Sequence, residues 1–182
     1  MALGTGKLLS FTVRALVLLL LAPMLWLTVA ARYNKAFVAV ADAVVQGQTA
    51  LKALGSHISI THPRMAEPVS LDSFTLHFGL ILLTVLVLAA VGIPTLQRVA
   101  WLAGMWAGMF VLHVLGVAAL AMAIGWSAGS GGAGDLIFRL FAVFWGLVPA
   151  VIGGLWAFLY WIPRASRPAS TAEMKAAKAE PT

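Results

Sequence analysis

His77 stands in the apolar run "FTLHFGLILLTVLVLAAVG", residues 74–92, and His113 stands in "MFVLHVLG". An ionisable side chain inside such a run is costly to place, so each is a candidate for proton handling or ligand binding. The competing reading for His113 is a neutral imidazole that hydrogen-bonds a neighbouring helix. For His77, about one turn inside its segment, it is a ring whose polar tip reaches the headgroups. Arg139 follows Asp135 by four residues, a spacing at which opposite charges meet on a helix. Its guanidinium would otherwise snorkel to the interface, or would suit an anionic group such as a lipid phosphate or a peptide carboxylate. Asp72, with Ser70 and Ser73, offers N-cap chemistry to the helix that follows it. Arg139, His77, His113 and Asp72 therefore form the candidate ligand-binding set.

Hydrolysis in a membrane needs a nucleophile with a base, paired carboxylates or a metal. The chain has no cysteine, no HExxH, no GxSxG and no carboxylate inside an apolar segment, so no residue is assigned a catalytic role. His57 and His62 lie five apart on a stretch that reads as extended and point to opposite faces. A metal there would need a third ligand from elsewhere, and neither metal nor cofactor is expected. A single haem between His77 and His113 is disfavoured by depth, since antiparallel neighbouring helices would set them about 12 Å apart along the membrane normal.

The elements that must position these residues follow from composition. Hydrophobic residues make up 62% and charged residues 10% of the 182 positions, against about 45–50% and 25% in an ordinary soluble domain. The expected fold class is all-α, a polytopic membrane protein. Four runs approach the roughly 20 residues that cross a bilayer, at about 8–31, 74–93, 99–124 and 136–162. Helices are required, because a lone strand would leave its backbone groups unpaired in hydrocarbon. The first run also has the marks of a secretory signal, but its length favours an uncleaved anchor. The fourth ends in "WAFLYWIP", which reads as an aromatic belt.

Basic residues set the orientation. With both termini cytoplasmic, Lys7, Arg14, Arg98, Arg164, Arg167, Lys175 and Lys178 fall inside, and Arg32, Lys35, Lys52, Arg64 and Arg139 fall outside. The expected location is thus a cytoplasmic membrane, with residues 1–163 as the membrane domain and 164–182 as a disordered cytoplasmic tail. The basic residues flank apolar segments instead of clustering, so the net charge of +6 reflects orientation and no nucleic-acid partner is expected.

The outer region 32–73 begins with "AFVAVADAVVQGQTALKAL", whose apolar residues from Phe37 to Leu54 fall on one helical face and predict an amphipathic helix stopped by Gly55. "SHISITHP" then alternates as a short strand or lid. Ala100, Gly104 and Gly108 recur every four residues, a face that permits close helix contact. It serves another membrane protein, a second copy of the chain, or lipid.

The words "APMLWLTVAARYNKAFVAVADAVV", "LHFGLILLTVLVLAAVG" and "WLAGMWAGMFVLHVLG" resemble the small integral membrane proteins associated with bacterial exosortases. In those proteins a span leads to an extracytoplasmic helix and a "YGLPL"-like start opens the next span. Here "HFGLI" stands in that place without the proline. The resemblance covers about residues 15–124 and implies a non-catalytic accessory subunit in surface-protein sorting or envelope polysaccharide export. Exosortases themselves resemble transpeptidases with a cysteine nucleophile, which this chain lacks. The alternative is a small enzyme or carrier acting on a lipid or peptide at the outer leaflet through Arg139, His77 and His113.

Overall fold

A computed structural model describes residues 5–45, 49–127 and 133–165. The chain is mostly helical, and among the described residues three helices are long and apolar enough to cross a membrane. These are α1 (Thr5–Val44), α3 (Thr95–Ser127) and the rod that begins with α4 (Ala133–Trp156). The helix α2 (Ser73–Ala89) is apolar but has 17 residues, which rise about 26 Å. Between α1 and α2 lie β1 (Ala50–Leu54), β2 (His57–Thr61) and β3 (Val69–Asp72), an antiparallel sheet in that order.

The 40 residues of α1 form one unbroken helix, about 60 Å long and twice the thickness of a hydrocarbon core. The run read as a first span and the start of the amphipathic helix are therefore one element. The predicted helix is also shorter than expected. It ends at Val44, and Ala50–Leu54 is a strand. "ALKAL" is built of good helix formers, but it pairs with β2 from Ala50↔Thr61 to Leu54↔His57, and tertiary pairing overrides propensity. Gly55 does not stop a helix. It takes φ +62° in the two-residue hairpin turn Gly55–Ser56, the position and sign that favour glycine. The expected strand at "SHISITHP" is present as β2.

Period-two alternation buries Ile58 and Ile60 of β2, with Leu51 of β1 and Leu71 of β3 on the same face. That face packs on Phe37, Val38 and Ala41 of α1 and on Val117, Ala118 and Ala121 of α3. Burying each isoleucine contributes about 1.5–3 kcal/mol, so the sheet is held by the extended ends of two helices. Asp42 Oδ1 accepts from Leu51 N at 2.8 Å and ties β1 to α1. Asp72 caps α2 as expected, its Oδ1 accepting from Phe74 N at 3.0 Å.

At the opposite end, Gly92 takes φ +78° in the turn before α3, and Arg98 Nη2 donates to the carbonyls of Ala90 (2.8 Å) and Ile93 (3.3 Å). The rod continues from α4 through a π-turn, Ala157–Trp161, into the last helical turn α5 (Ile162–Ala165). Residues five apart lie about 140° apart on an α-helix. The wider π-turn instead brings Trp156 and Trp161 to one side, and both are buried beside Val87, Ala90 and Ile93. The aromatic run is thus partly a packing face, with Phe158 and Leu159 left exposed. Residues 166–182, where the tail was expected, lie outside the described residues.

Candidate functional site

His77 and His113 lie side by side, ring centroids 5.6 Å apart, and both are 0% exposed. The depth difference expected from the sequence is therefore wrong. α3 overshoots the start of α2, because its outer end climbs beside the sheet until Gly125 lies against Thr49 and His62. His113, twelve residues before Gly125, thus sits about 18 Å below that end and level with the first turn of α2. His77 reaches neither headgroups nor water, because α1 covers it.

Four helices meet around the two rings. Trp26 Nε1 of α1 donates to His77 Nδ1 at 3.0 Å. Tyr33 Oη of α1 lies 2.6 Å from His113 Nδ1, and His113 Nε2 lies 3.1 Å from the Leu76 carbonyl of α2. A carbonyl only accepts, so the His113 proton is on Nε2 and Nδ1 receives the Tyr33 hydroxyl proton. The indole donates into His77 Nδ1, which places the His77 proton on Nε2 as well. Trp145 Nε1 of α4 donates to the same Leu76 carbonyl at 3.1 Å, so one backbone oxygen of α2 ties down α3 and α4.

His77 Nε2 has no hydrogen-bond partner among the described residues. The rings of Tyr33 and Phe37 stand nearly perpendicular to the imidazole, at 5.1 and 6.1 Å, a geometry in which an N–H meets an aromatic face. Trp145 stacks between His113 and Phe141, each at 5.1 Å. Above this layer, Asn34 Nδ2 donates to the Gly55 carbonyl at 2.8 Å, and the Ser73 hydroxyl donates to the Ser56 carbonyl at 2.6 Å. The hairpin turn is thereby fixed to α1 and α2 directly over the histidines.

Glycines let these layers close. A methyl on Gly116 would overlap the Trp145 ring, and one on Gly79 would overlap Pro149 of α4. By contrast, Gly104 and Gly108 have open space where a Cβ would stand: they are exposed, as is Ala100, and both line a cavity of about 400 Å³ with Leu83 of α2 and Ile152 and Trp156 of α4. The stripe expected to pack helices is thus unused within the chain, and Gly79 and Gly116 do that work. Missing Gly116 was a matter of period: it extends the Gly104 and Gly108 series only if one counts on through Leu112.

The other candidates lie apart from the histidines. Asp72 is spent on its cap, although it also lines a cavity of about 250 Å³ with Thr75, Phe141 and Trp145 beside β3. Arg139 is exposed on α4, and the Asp135 side chain lies outside the described residues. His57 meets the Ser56 hydroxyl at 3.0 Å, and His62 Nδ1 accepts from Arg64 N at 3.2 Å. No group of three His, Cys, Asp or Glu residues that could hold a metal occurs among the described residues. From the sequence, Tyr33 and Asn34 stand only among the polar groups gathered on the outer side with His57, His62, Asp72 and His77, and Trp26 and Trp145 carry no site role; an indole, phenol or amide in apolar surroundings is the one signal that marks them.

These features define a helical membrane protein with a small sheet set against its longest helices. No family model matches the chain, and neither a curated protein nor a solved structure matches it.

Proposed function

We propose that the chain crosses a bacterial cytoplasmic membrane four times, with both termini inside and the sheet outside, and acts as a non-catalytic accessory subunit of another membrane protein. α2 supplies the fourth crossing. Its 17 residues reach the lower limit for a span. The observation that carries the reading is the state of the two intramembrane histidines. Both are 0% exposed, and three of their four ring nitrogens are held by Trp26, Tyr33 and the Leu76 carbonyl. A group that handles protons or substrate needs a path to either, whereas a sealed, hydrogen-bonded pair serves to lock helices in register.

The surface left for a partner is the exposed stripe Ala100, Gly104 and Gly108 on α3, whose glycines border an open cavity toward α2 and α4. Its missing side chains permit a second helix to approach closely, and van der Waals packing of this kind drives association in lipid. The resemblance to exosortase-associated proteins makes an exosortase-type transpeptidase, or a component of envelope polysaccharide export, the partner class.

Mild-detergent pull-down of the tagged chain from its native membrane, with mass spectrometry and a haem absorbance scan, tests this proposal. A stoichiometric membrane partner that is retained by His113→Leu and lost with Gly104→Leu supports it. A lone chain carrying a pigment, or loss of function with His113→Leu in a folded protein, refutes it.

A further inference from the structure

The two edges of the sheet end differently. Leu54 and His57 flank the two-residue turn Gly55–Ser56, so they form a hydrogen-bonded pair, as do Lys52 with Ser59 and Ala50 with Thr61. The Leu51 N–H therefore points away from β2, and Asp42 Oδ1 accepts it at 2.8 Å. The alternation continues across β2. There Ile58 with Leu71 and Ile60 with Val69 are the bonded pairs, and Ser73 N extends the series by donating to the Ser56 carbonyl at 2.9 Å. Ser70 and Asp72 are left with their N–H and C=O groups directed away from β2. The Asp72 carbonyl enters the first turn of α2 as its N-cap. The Ser70 N–H, the Ser70 C=O and the Asp72 N–H remain, and among the described residues no strand lies beyond β3 to take them.

We propose that this edge receives an extended segment of a partner protein, which adds to β3 as a further strand on the outer side of the membrane. An extended main chain matches the edge, because it presents a donor and an acceptor together at every second residue. The cavity of about 250 Å³ beside β3 adds a side-chain preference. It is lined by Ser70 and Asp72 of this edge and by Leu71, Leu76, Phe141 and Trp145. Cross-strand neighbours share a face, so the added residue opposite Leu71 points with it toward Leu76 and Trp145. That residue must be apolar. A second copy of the chain does not fit the edge. The sheet packs flat on the flanks of α1 and α3, so in the four-span placement its normal lies in the plane of the membrane. Two β3 edges paired antiparallel are related by a two-fold axis along that normal. One copy would then be inverted across the membrane, so the segment comes from a different chain. The proposal takes the outer position of the sheet from the reading above and is independent of the accessory role and of the glycine stripe.

The full chain, purified in mild detergent, is panned against phage-displayed linear peptides of about seven residues, the length of one strand. A selected peptide is then titrated by fluorescence anisotropy. Ser70→Pro removes the outward donor and no bond to β2. It should bind the peptide roughly tenfold or more weakly, and Ser70→Thr should bind as the wild type does. The peptide supplies a check that leaves the protein unchanged. N-methylation of its alternate residues in one register should abolish binding and in the other should not, because only every second amide faces β3. In amide exchange, Val69 and Leu71 should be protected in the chain alone, and Ser70 and Asp72 only with the peptide bound. Failure to enrich any peptide on the wild type over Ser70→Pro, equal loss in both methylation registers, or protection of Ser70 and Asp72 in the chain alone overturns the proposal. In native membranes a disulfide-linked dimer of Ser70→Cys overturns the choice of partner, since the chain has no other cysteine. Detergent exposes both sides of the membrane domain, so neither an inverted topology nor a missing accessory partner alters these results.

Discussion

Gly116→Ala should loosen the joint between α3 and α4, and Gly108→Ala on the same helix should not. A methyl on Gly116 would come within 2.7 Å of Trp145 Cη2 and closer still to Cζ3. The rings of His113 and Phe141, each stacked on the indole at 5.1 Å, oppose its movement along the ring normal, and the bond from its Nε1 to the Leu76 carbonyl at 3.1 Å opposes sliding in its own plane. Restoring ordinary contact requires a shift on the order of 1 Å, and lengthening the indole bond by that much breaks it. Overpacking costs about 1–3 kcal/mol, and an interhelical hydrogen bond in a membrane about 0.6. The gain in helix propensity from glycine to alanine, about 1 kcal/mol, is common to both variants. Their difference therefore isolates the clash, and Gly116→Ala should be less stable than Gly108→Ala by about 2–4 kcal/mol. Reversible unfolding by SDS in mixed micelles, followed by tryptophan fluorescence, measures it. Equal stability of the two variants would mean that Trp145 is not pinned, and the joint as described would be wrong.

Other outcomes follow from the same contacts. In a double-mutant cycle, Tyr33→Phe and His113→Leu should each cost about 1–3 kcal/mol and together clearly less than their sum, because they break the same bond at 2.6 Å; strict additivity in SDS unfolding refutes the bond. Gly55→Ala should destabilise the hairpin by about 1–2 kcal/mol through its φ of +62°, and protease nicking within residues 50–61 should rise; an unchanged nicking rate contradicts the turn. Asn34→Leu should likewise raise nicking there by releasing the Gly55 carbonyl, with α1–α3 packing left intact. The chain has no native cysteine, so single cysteines at Ser59 and Gln97 report topology directly; in sealed cells Ser59→Cys should react with an impermeant maleimide and Gln97→Cys should not.

Helix existence was legible in the sequence because long apolar runs admit no other backbone in lipid. Asp72 as a cap and β2 as a strand were legible from local chemistry alone. The rest depended on where helices end in space. "ALKAL" is ambiguous between helix and strand until β2 is placed beside it. The offset that brings His113 level with His77 arises because α1 and α3 run past α2 to hold the sheet, and span lengths counted residue by residue carry no such offset. Hence the sequence singled out both histidines but set them at different depths. It also gave no reason to pair them with Trp26, Tyr33 and Trp145, whose polar atoms turn two isolated rings into one network.

His77 and His113 form a sealed structural joint. Solid-state nitrogen NMR on protein labelled with 15N-histidine in lipid bilayers tests it most directly. His77 and His113 should each show one protonated nitrogen, Nε2, and one accepting nitrogen, Nδ1, with no exchange with bulk water. Imidazolium signals, rapid exchange, or shifts that mark a metal-bound nitrogen would contradict it and restore these residues as a site of chemistry.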